Sequence, residues 1–255
     1  MPHKESPPPP GPLPMADART ARQGRRSSEE SIAATVHTAV VVIGGDRLHP
    51  VAVAESPSGF TIAADSGLDW ALEAGLRPDL VVGDLDSVSE AGLTWARSNG
   101  IPVEHHPPDK DSTDTELALT AAVERGANRV VVLSGGGDRL DHSIGAISAL
   151  GHPRLAVCGS VSARWGDSLI QVLHGPRDHE FELPLGATFS LLAMHGQCSG
   201  VKVEGAQWPL HDAVIEPGTG VGISNVAVCA MVSIAVADGV LTVIVPDHIP
   251  VEPRS

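Results

Sequence analysis

The sequence predicts an α/β protein with a mostly parallel sheet flanked by helices, followed by a smaller all-β antiparallel sandwich domain. Between residues 39 and 157, short β-branched runs that end in Gly or Asp alternate with amphipathic stretches of helix length. Apolar strands that alternate with helices are typical of a parallel sheet covered on both faces. After about residue 160 the helix-length stretches stop, and short segments with alternating apolar residues follow, which favours antiparallel strands.

The chain begins with a Pro-rich segment over residues 1–37, which contains four consecutive prolines at 7–10 and no apolar period. Such a composition cannot offset the entropy lost on ordering. We therefore predict a disordered tail over 1–37, and a short C-terminal tail over 249–255.

The α/β domain is predicted over residues 38–160. Its predicted strands are residues 40–43, 60–63, 80–82, 101–103, 130–133 and 155–157, and its predicted helices fall near 67–75, 89–98, 112–125 and 140–150.

The all-β domain is predicted over residues 161–248. Its predicted strands are residues 179–183, 188–193, 201–204, 231–237 and 240–245. Asp238-Gly239 between the last two predicts a hairpin turn.

Composition excludes several classes of function. A net charge of −14 argues against nucleic-acid or anionic-membrane partners, because these need a basic surface. The three cysteines are widely spaced and form no CxxC pair, which favours reduced thiols in the cytoplasm. No apolar run reaches the roughly 18 residues that span a bilayer.

Aspartates follow the predicted strands, where open α/β sheets bind ligands. They are Asp65, Asp84 and Asp86, a group at 109–114, and Asp141. In Asp84-Leu85-Asp86 the i, i+2 spacing at a strand end directs both carboxylates the same way, which suits Mg²⁺. The alternative is a turn in which Asp65, Asp86 or Ser87 caps the next helix.

The segment around Lys110 combines acids with the start of a predicted helix. Ser112 or Thr113 as N-cap, followed by an acid, is a sufficient structural explanation. The density of acids, which include Asp111 and Asp114, exceeds what capping needs. A helix N-terminus and Lys110 also suit phosphate.

The three glycines at 135–137 let the backbone approach a ligand, and Arg139 suits phosphate oxygens. The run fails as a Rossmann fingerprint, and the chain has no Walker A loop. Phosphate charge must then be met by Mg²⁺, Lys110 and Arg139. We therefore predict a Mg²⁺-dependent enzyme acting on nucleotide phosphates.

Taken together, six segments resemble the thiamine pyrophosphokinase family in order and spacing. They are residues 64–67 (ADSG), 78–87 (PDLVVGDLDS), 110–119 (KDSTDTELAL), 137–142 (GDRLDH), 205–210 (GAQWPL) and 222–225 (GISN). The likeness covers roughly residues 40–246. Two departures are Val226, where many relatives carry an acid, and Asp138 within the glycine-arginine run.

The resemblance implies transfer of a pyrophosphoryl group from ATP to thiamine, giving thiamine diphosphate and AMP. It also implies a homodimer with active sites at the subunit interface, each formed by the ATP-binding catalytic domain of one subunit and the thiamine-binding β-domain of the other.

The resemblance also implies roles for individual residues. The implied metal ligands are Asp84, Asp86 and Asp114; the residues implied to position phosphates or the attacking hydroxyl are Thr113, Lys110, Arg139 and Asp141. Asp65 and Asp111 are expected on the nucleotide side. Trp208 would offer an aromatic face to thiamine, with hydrogen bonds from Ser224 and Asn225.

Three alternatives stay open at this point. The segment around Asp84 also resembles the nucleophile motif of haloacid-dehalogenase-type phosphatases, in which Asp84 would form an aspartyl-phosphate. A pyrophosphokinase acting on a pterin alcohol is the second alternative. A non-catalytic nucleotide or thiamine sensor is the third.

Overall fold

The structure is a computed structural model that describes residues 37–107, 109, 111–137 and 139–248. The predicted tails over 1–37 and 249–255 therefore lie outside the described residues, apart from His37. Within the described part of the chain, no helix is long and apolar enough to cross a membrane.

Five α-helices, one 3₁₀ helix and fourteen strands make up the described chain. The first half contains β1 (Thr38–Val42), α1 (Pro50–Ala54), β2 (Phe60–Ala64), α2 (Gly67–Glu73), β3 (Leu80–Gly83), α3 (Glu90–Ser98), β4 (Val103–His105), α4 (Asp114–Glu124), β5 (Arg129–Ser134), α5 (Leu140–Ala149) and the 3₁₀ helix (Pro153–Val157). The second half contains β6 (Ser160–Trp165), β7 (Ser168–His174), β8 (Arg177–Glu182), β9 (Thr188–Leu192), β10 (Cys198–Glu204), β11 (Leu210–Ile215), β12 (Asn225–Val226), β13 (Met231–Val236) and β14 (Val240–Val245).

A 10-stranded sheet with the order β12-β9-β14-β7-β6-β5-β1-β2-β3-β4 runs through the described chain. At one end of this order, the six neighbouring strands β6-β5-β1-β2-β3-β4 pair in parallel. At the other end, each pairing between neighbours in the order β6-β7-β14-β9-β12 is antiparallel. The sheet continues across residue 160, where the sequence predicts a domain boundary, and that boundary stays a prediction.

Helices cover both faces of the parallel part of the sheet because alternate strand residues point to opposite sides. Val41 and Val132 face one core, which includes α4 and α5 residues such as Ala118. Val40 and Val42 face the other side, where α2 packs. This is the covered parallel sheet predicted from the continuous apolar runs.

A second sheet, of order β11-β10-β13-β8, packs on the antiparallel end of the large one. Their shared core takes Leu241 and Val243 from the large sheet and Val201, Val232 and Ile234 from the small one. The predicted fold class, a parallel α/β sheet followed by an antiparallel sandwich, is confirmed.

The hairpin predicted at Asp238-Gly239 is wrong. The strand before it, β13, pairs with β8 and β10, whereas the strand after it, β14, pairs with β7 and β9. The chain turns here from the small sheet to the large one, because both strands must point their apolar side chains into the same inter-sheet core. A hairpin would have placed the two strands side by side in one sheet.

The strand predicted at residues 155–157 is also wrong, because this segment is the 3₁₀ helix Pro153–Val157. Pro153 lies in its first turn, and the His152 side chain caps it by accepting from the Arg154 N–H. Proline has a fixed φ that suits the start of a helix. The sixth strand is instead Ser160–Trp165, which pairs in parallel with β5.

Candidate active site

Three aspartates meet at the carboxyl edge of the parallel sheet. Asp65 follows β2, Asp84 follows β3, and Asp114 is the first residue of α4. One carboxylate oxygen from each lies within 4.8 Å of the others, and all three residues are half-buried. The sequence predicts convergence at this edge, and the structure brings these three together.

Backbone geometry at the strand ends allows this approach. Gly83 has φ +146°, and a Cβ there would lie 3.2 Å from Asp114 Oδ1 and 3.3 Å from Asp65 Cβ. Asp65 itself has φ +49°, and its N–H donates to the Val82 carbonyl over 2.9 Å. Glycine at position 83 therefore leaves the space in which the two carboxylates approach.

The electrostatics of the cluster show most clearly at Asp65. Burial, and then the neighbouring Asp114 and Asp84 carboxylates, raise the pKa of Asp65 despite a hydrogen bond that the Ser87 hydroxyl donates to its Oδ2. Its Oδ1 is buried and has no hydrogen-bond partner among the described residues. An uncompensated buried carboxylate oxygen beside two other carboxylates calls for a cation.

The donor set fits a hard divalent ion. Magnesium prefers carboxylate oxygens and is held in proteins through few carboxylates together with water and substrate phosphates. Asp65, Asp84 and Asp114 offer three such oxygens on one side of the edge. These residues could therefore hold Mg²⁺ while leaving positions for phosphate oxygens.

Asp86, expected as a metal ligand, is exposed and lies outside this three-residue group. The i, i+2 argument assumes an extended chain, but Leu85 has φ +67°, a left-handed conformation that turns the backbone. The Asp86 N–H donates to Asp84 Oδ1 over 3.2 Å. Asp86 therefore supports the turn that presents Asp84.

Neither of the alternative capping roles, that of Asp65 after β2 or that of Asp86 or Ser87 after β3, is present. The helix α3 is capped by Ser89, whose hydroxyl accepts from the Gly92 N–H over 3.0 Å, so Asp86 and Ser87 do not cap it. The helix α2 has Ser66 at its N-cap, without a side-chain cap bond. Ser87 instead contacts Asp65, a role that the sequence analysis missed.

The capping explanation does hold at α4. The Thr113 hydroxyl accepts from the Glu116 N–H over 3.2 Å, and the Glu116 carboxylate accepts from the Thr113 N–H over 2.7 Å. This capping box fixes the first turn of the helix, where Asp114 stands. Asp111 is exposed just ahead of it, and Lys110 lies outside the described residues.

Arg139 and Asp141 stand together at the start of α5. The guanidinium donates twice to the carboxylate, Nη2 to Oδ2 over 2.6 Å and Nε to Oδ1 over 3.2 Å. This bond lowers the pKa of Asp141. Both side chains are exposed, so phosphate oxygens can approach this charged pair from solvent.

The glycines at 135–137 pack against a second loop, Gly44-Gly45-Asp46, which follows β1. The Asp46 N–H donates to the Gly136 carbonyl over 2.6 Å, and a Cβ on Gly137 would overlap the Asp46 carboxylate, 1.7 Å from Oδ2. The strands β1 and β5 are neighbours in the sheet, although the chain between them runs out to β4. This is the topological switch point where open α/β sheets bind ligands, and the sequence analysis missed the loop after β1.

The residues that the resemblance implies for thiamine binding lie elsewhere in the fold. Trp208 occupies the turn between β10 and β11 and is 54% exposed, whereas Asn225 in β12 is 2% exposed. Ser224 is exposed, with φ +55°, and its N–H donates to Ser190 Oγ over 3.1 Å. The structure thus brings Trp208, Ser224 and Asn225 into one turn region.

This turn region and the aspartate cluster lie far apart within one chain. Seven strand spacings separate β2 from β12 in the large sheet. At about 4.8 Å per strand this corresponds to roughly 30 Å.

Comparison with known proteins identifies the family. Residues 54–158 match the family model of the thiamin pyrophosphokinase catalytic domain, and residues 172–241 match that of the thiamin pyrophosphokinase vitamin B1 binding domain. Together the two matches cover more than half of the chain. The chain is also 25% identical over 185 residues to the thiamine pyrophosphokinase of Bacillus subtilis, covering 72% of this chain and 85% of that protein.

Solved structures agree in fold. The crystal structure of thiamine pyrophosphokinase from Bacillus subtilis aligns with a TM-score of 0.70 at 23% identity, over 83% of this chain and all of that chain. The Candida albicans enzyme aligns with a TM-score of 0.66 at 15% identity, over 83% of this chain and 89% of that one. With both domain models matched in order, the chain belongs to the thiamin pyrophosphokinase family.

Proposed function

We propose that this protein transfers a pyrophosphoryl group from ATP to thiamine, giving thiamine diphosphate and AMP, in a Mg²⁺-dependent reaction. The observation that carries the proposal is the cluster of Asp65, Asp84 and Asp114 at the carboxyl edge of the sheet. The match of residues 54–158 to the catalytic-domain model and of residues 172–241 to the vitamin B1 binding-domain model supports placing catalysis in the first domain and thiamine binding in the second. We assign ATP to residues 38–160 and thiamine to residues 161–248.

The acid cluster suits polyphosphate only through a cation, because carboxylates and phosphates repel. Bound Mg²⁺ would neutralise charge on the phosphate oxygens and hold the chain of phosphates in one orientation. Asp65, Asp84 and Asp114 would hold it. Asp86, which the resemblance adds to this set, would act through the turn at Asp84.

In the proposed reaction the hydroxyethyl oxygen of thiamine forms a bond to the β-phosphorus of ATP. The bond between that phosphorus and the α–β bridging oxygen breaks, and AMP leaves with the electron pair. Arg139 is positioned to meet charge on the phosphates, and Lys110 is assigned the same task from the sequence. No covalent intermediate with the protein is required.

The hydroxyl proton must be accepted as the new bond forms. Asp114 and Asp141 are the two candidates. Arg139 lowers the pKa of Asp141, which makes that carboxylate a poorer proton acceptor. We therefore assign Asp114 to orient the hydroxyl and Asp141 to hold Arg139 toward the phosphates.

The thiamine site is assigned to the Trp208 turn. The exposed indole offers a π face to a cationic thiazolium or to a pyrimidine ring, and the exposed Ser224 hydroxyl is available for a hydrogen bond. Because this turn lies roughly 30 Å from the aspartates, at about 4.8 Å per strand, a complete active site needs the β-domain of a second copy.

An exposed apolar surface around the turn supports a homodimer. Besides Trp208, the segment 221–231 leaves four large hydrophobic side chains exposed in the single chain: Val221, Ile223, Val228 and Met231. Exposed apolar patches of this kind mark interaction surfaces.

The proposal includes a cytoplasmic location, because the three cysteines are free thiols, as expected in a reducing compartment.

One assay tests the reaction and the substrate together. Purified protein is incubated with ATP, Mg²⁺ and either thiamine or a pterin alcohol, and the products are identified by mass. The proposal predicts thiamine diphosphate and AMP in the thiamine reaction alone. Three other results would contradict the proposal. A pterin diphosphate would indicate the pterin-alcohol pyrophosphokinase, and an acid-labile phospho-enzyme would indicate the phosphatase. Thiamine binding without turnover over hours would indicate the non-catalytic sensor.

A second experiment tests the site. Asp84→Asn and Asp114→Asn each remove a charge from the cluster, and each is expected to lower the rate of AMP formation by about 100-fold or more, because electrostatic stabilisation of the transition state is lost. Asp178→Asn, an exposed carboxylate on β8, is the matched control and should retain the wild-type rate. Wild-type AMP release by a folded Asp84→Asn protein would refute the assignment.

A further inference from the structure

The side chain of Asn225 is buried against the turn that carries Trp208. Its Oδ1 accepts from the Trp208 N–H over 3.1 Å and from the Val226 N–H over 2.9 Å. Its Nδ2 donates to the Trp208 carbonyl over 2.8 Å. One amide thus satisfies both backbone polar groups of Trp208.

These bonds leave Asn225 poorly placed to touch a substrate. The residue is only 2% exposed, whereas Trp208 is 54% exposed. A substrate that reaches the indole therefore meets the aromatic face while the asparagine amide stays behind the turn. Asn225 acts on the backbone of residue 208.

Further contacts hold the same turn. The Gln207 N–H donates to the Val226 carbonyl over 2.8 Å. Next to it, Ala206 and Ala227 pair through an isolated antiparallel β-bridge. These bonds fix the two chain segments side by side. Among the described residues, however, only the Asn225 side chain bonds to the backbone of Trp208 itself.

We propose that Asn225 is a positioning residue that holds the Trp208 indole ready for a cationic aromatic ligand and does not contact that ligand. The inference rests on the proposed function, which supplies thiamine as the ligand. An indole fixed before binding loses little entropy when the ligand arrives. The resemblance to the family had instead implied a direct hydrogen bond from Asn225 to thiamine.

A double-mutant cycle separates the two roles. Wild type, Asn225→Ala, Trp208→Ala and the double variant are compared for the KM of thiamine and for kcat. Thiamine binding in the absence of ATP is measured by calorimetry. Asn225→Ala is expected to raise the KM of thiamine by about tenfold in the wild-type background and by less than about twofold in the Trp208→Ala background, because both changes remove the same interaction.

Two further variants sharpen the cycle. Asn225→Asp keeps an acceptor for the two N–H groups and puts a carboxylate oxygen where the donor to the Trp208 carbonyl was. It should also raise the KM of thiamine, and it is the second variant for the case in which Asn225→Ala does not fold. Asn99→Ala is the matched control, because the Asn99 Nδ2 likewise donates to a tryptophan backbone carbonyl, that of Trp95, over 2.8 Å. The control should leave the KM of thiamine unchanged.

Hydrogen exchange provides a readout that does not depend on thiamine. The Trp208 amide should exchange slowly in wild type and in Asn99→Ala, and faster in Asn225→Ala. Equal exchange in all three proteins would overturn the inference. So would an unchanged KM in folded Asn225→Ala, or an equal effect of Asn225→Ala in both backgrounds. Slow exchange in wild type and faster exchange in Asn225→Ala, together with no thiamine binding by the wild type, would refute the proposed function while supporting the hold of Asn225 on the Trp208 turn.

Discussion

Asp65 stands out among the site residues because its two oxygens have different surroundings. One accepts from the Ser87 hydroxyl, and the other is buried without a hydrogen-bond partner among the described residues. Burial and two neighbouring carboxylates raise its pKa. In the absence of a cation, ionised Asp65 therefore destabilises the folded state, and binding of a cation offsets this cost.

The raised pKa of Asp65 predicts the effect of Asp65→Asn. A raised folded pKa means that stability is lost as the pH rises through it and regained as the pH falls. At neutral pH, Asp65→Asn should therefore raise the melting temperature of the protein in EDTA. It should also reduce the rise in melting temperature on addition of MgCl₂, because one ligand is gone.

The matched control is Asp86→Asn, which removes an exposed carboxylate next to the cluster. It should leave both melting temperatures close to those of the wild type. Thermal unfolding monitored by circular dichroism, with EDTA and with MgCl₂, gives the comparison. A lower melting temperature of Asp65→Asn in EDTA would contradict the account of the cluster.

At the scale of elements, the first turn of α4 carries both a structural and a chemical task. The capping box between Thr113 and Glu116 begins the helix, and Asp114 in the same turn belongs to the acid cluster. The sequence of this segment predicts capping and phosphate binding as alternatives. The capping bonds fix the turn in which the metal-binding candidate stands, so the two tasks are compatible.

Thr113→Ala should therefore affect both stability and activity. Loss of the cap is expected to lower the free energy of unfolding by about 1 kcal/mol, and the looser first turn should raise the Mg²⁺ concentration needed for half-maximal rate. Urea unfolding and a magnesium titration of the rate measure the two effects.

Thr120→Ala, within the same helix, serves as the comparison, because it removes a threonine hydroxyl without touching the cap. It should leave the magnesium requirement unchanged. An equal loss of stability in the two variants would show that the cap has no special role.

At the scale of the whole molecule, one buried histidine, His174, and two half-buried ones, His179 and His248, link stability to pH. Burial lowers the pKa of His174, His179 and His248. The folded state keeps them neutral while the unfolded chain binds protons near pH 6.5, so stability falls as the pH drops below about 6.5.

The free energy of unfolding in urea, measured between pH 5.5 and 7.5, should therefore rise with pH by up to about 1.4 kcal/mol per pH unit for each histidine. His174→Gln should remove the contribution of one histidine to the slope of the unfolding free energy against pH, because His174 is buried and bonded to the Leu150 carbonyl. His105→Gln, an exposed position, should keep the full slope. A slope unchanged in His174→Gln would contradict the assignment.

The proposed shared active site is also a property of the whole molecule. If each site combines the aspartates of one subunit with Trp208 of the other, Asp84→Asn and Trp208→Ala chains should complement each other. A mixed dimer then holds one intact site and one doubly altered site. Co-expression should restore about a quarter of the wild-type rate, since half of the dimers are mixed. Mixed dimers that form without recovering activity would refute shared sites.

Much of the fold follows from local pattern in the sequence. The β-branched runs that became β1, β2, β3 and β5, and the amphipathic stretches that became α2 to α5, were predicted because side-chain periodicity is set by neighbours along the chain. Pairing between distant segments was not predictable in this way. Asp238-Gly239 has the composition of a hairpin turn, yet the two strands beside it enter different sheets because they share one core.

The sequence by itself determined that acids would gather at the carboxyl edge of a parallel sheet, because strand direction and strand ends are both readable from pattern. Only the tertiary structure decided which acids meet. It selected Asp65 with Asp84 and Asp114, since Leu85 turns the chain away from the extended geometry that would have aligned Asp86. It also placed the Asn225 amide behind Trp208, where contact depends on a strand and a turn whose contacting residues lie 17 positions apart in sequence.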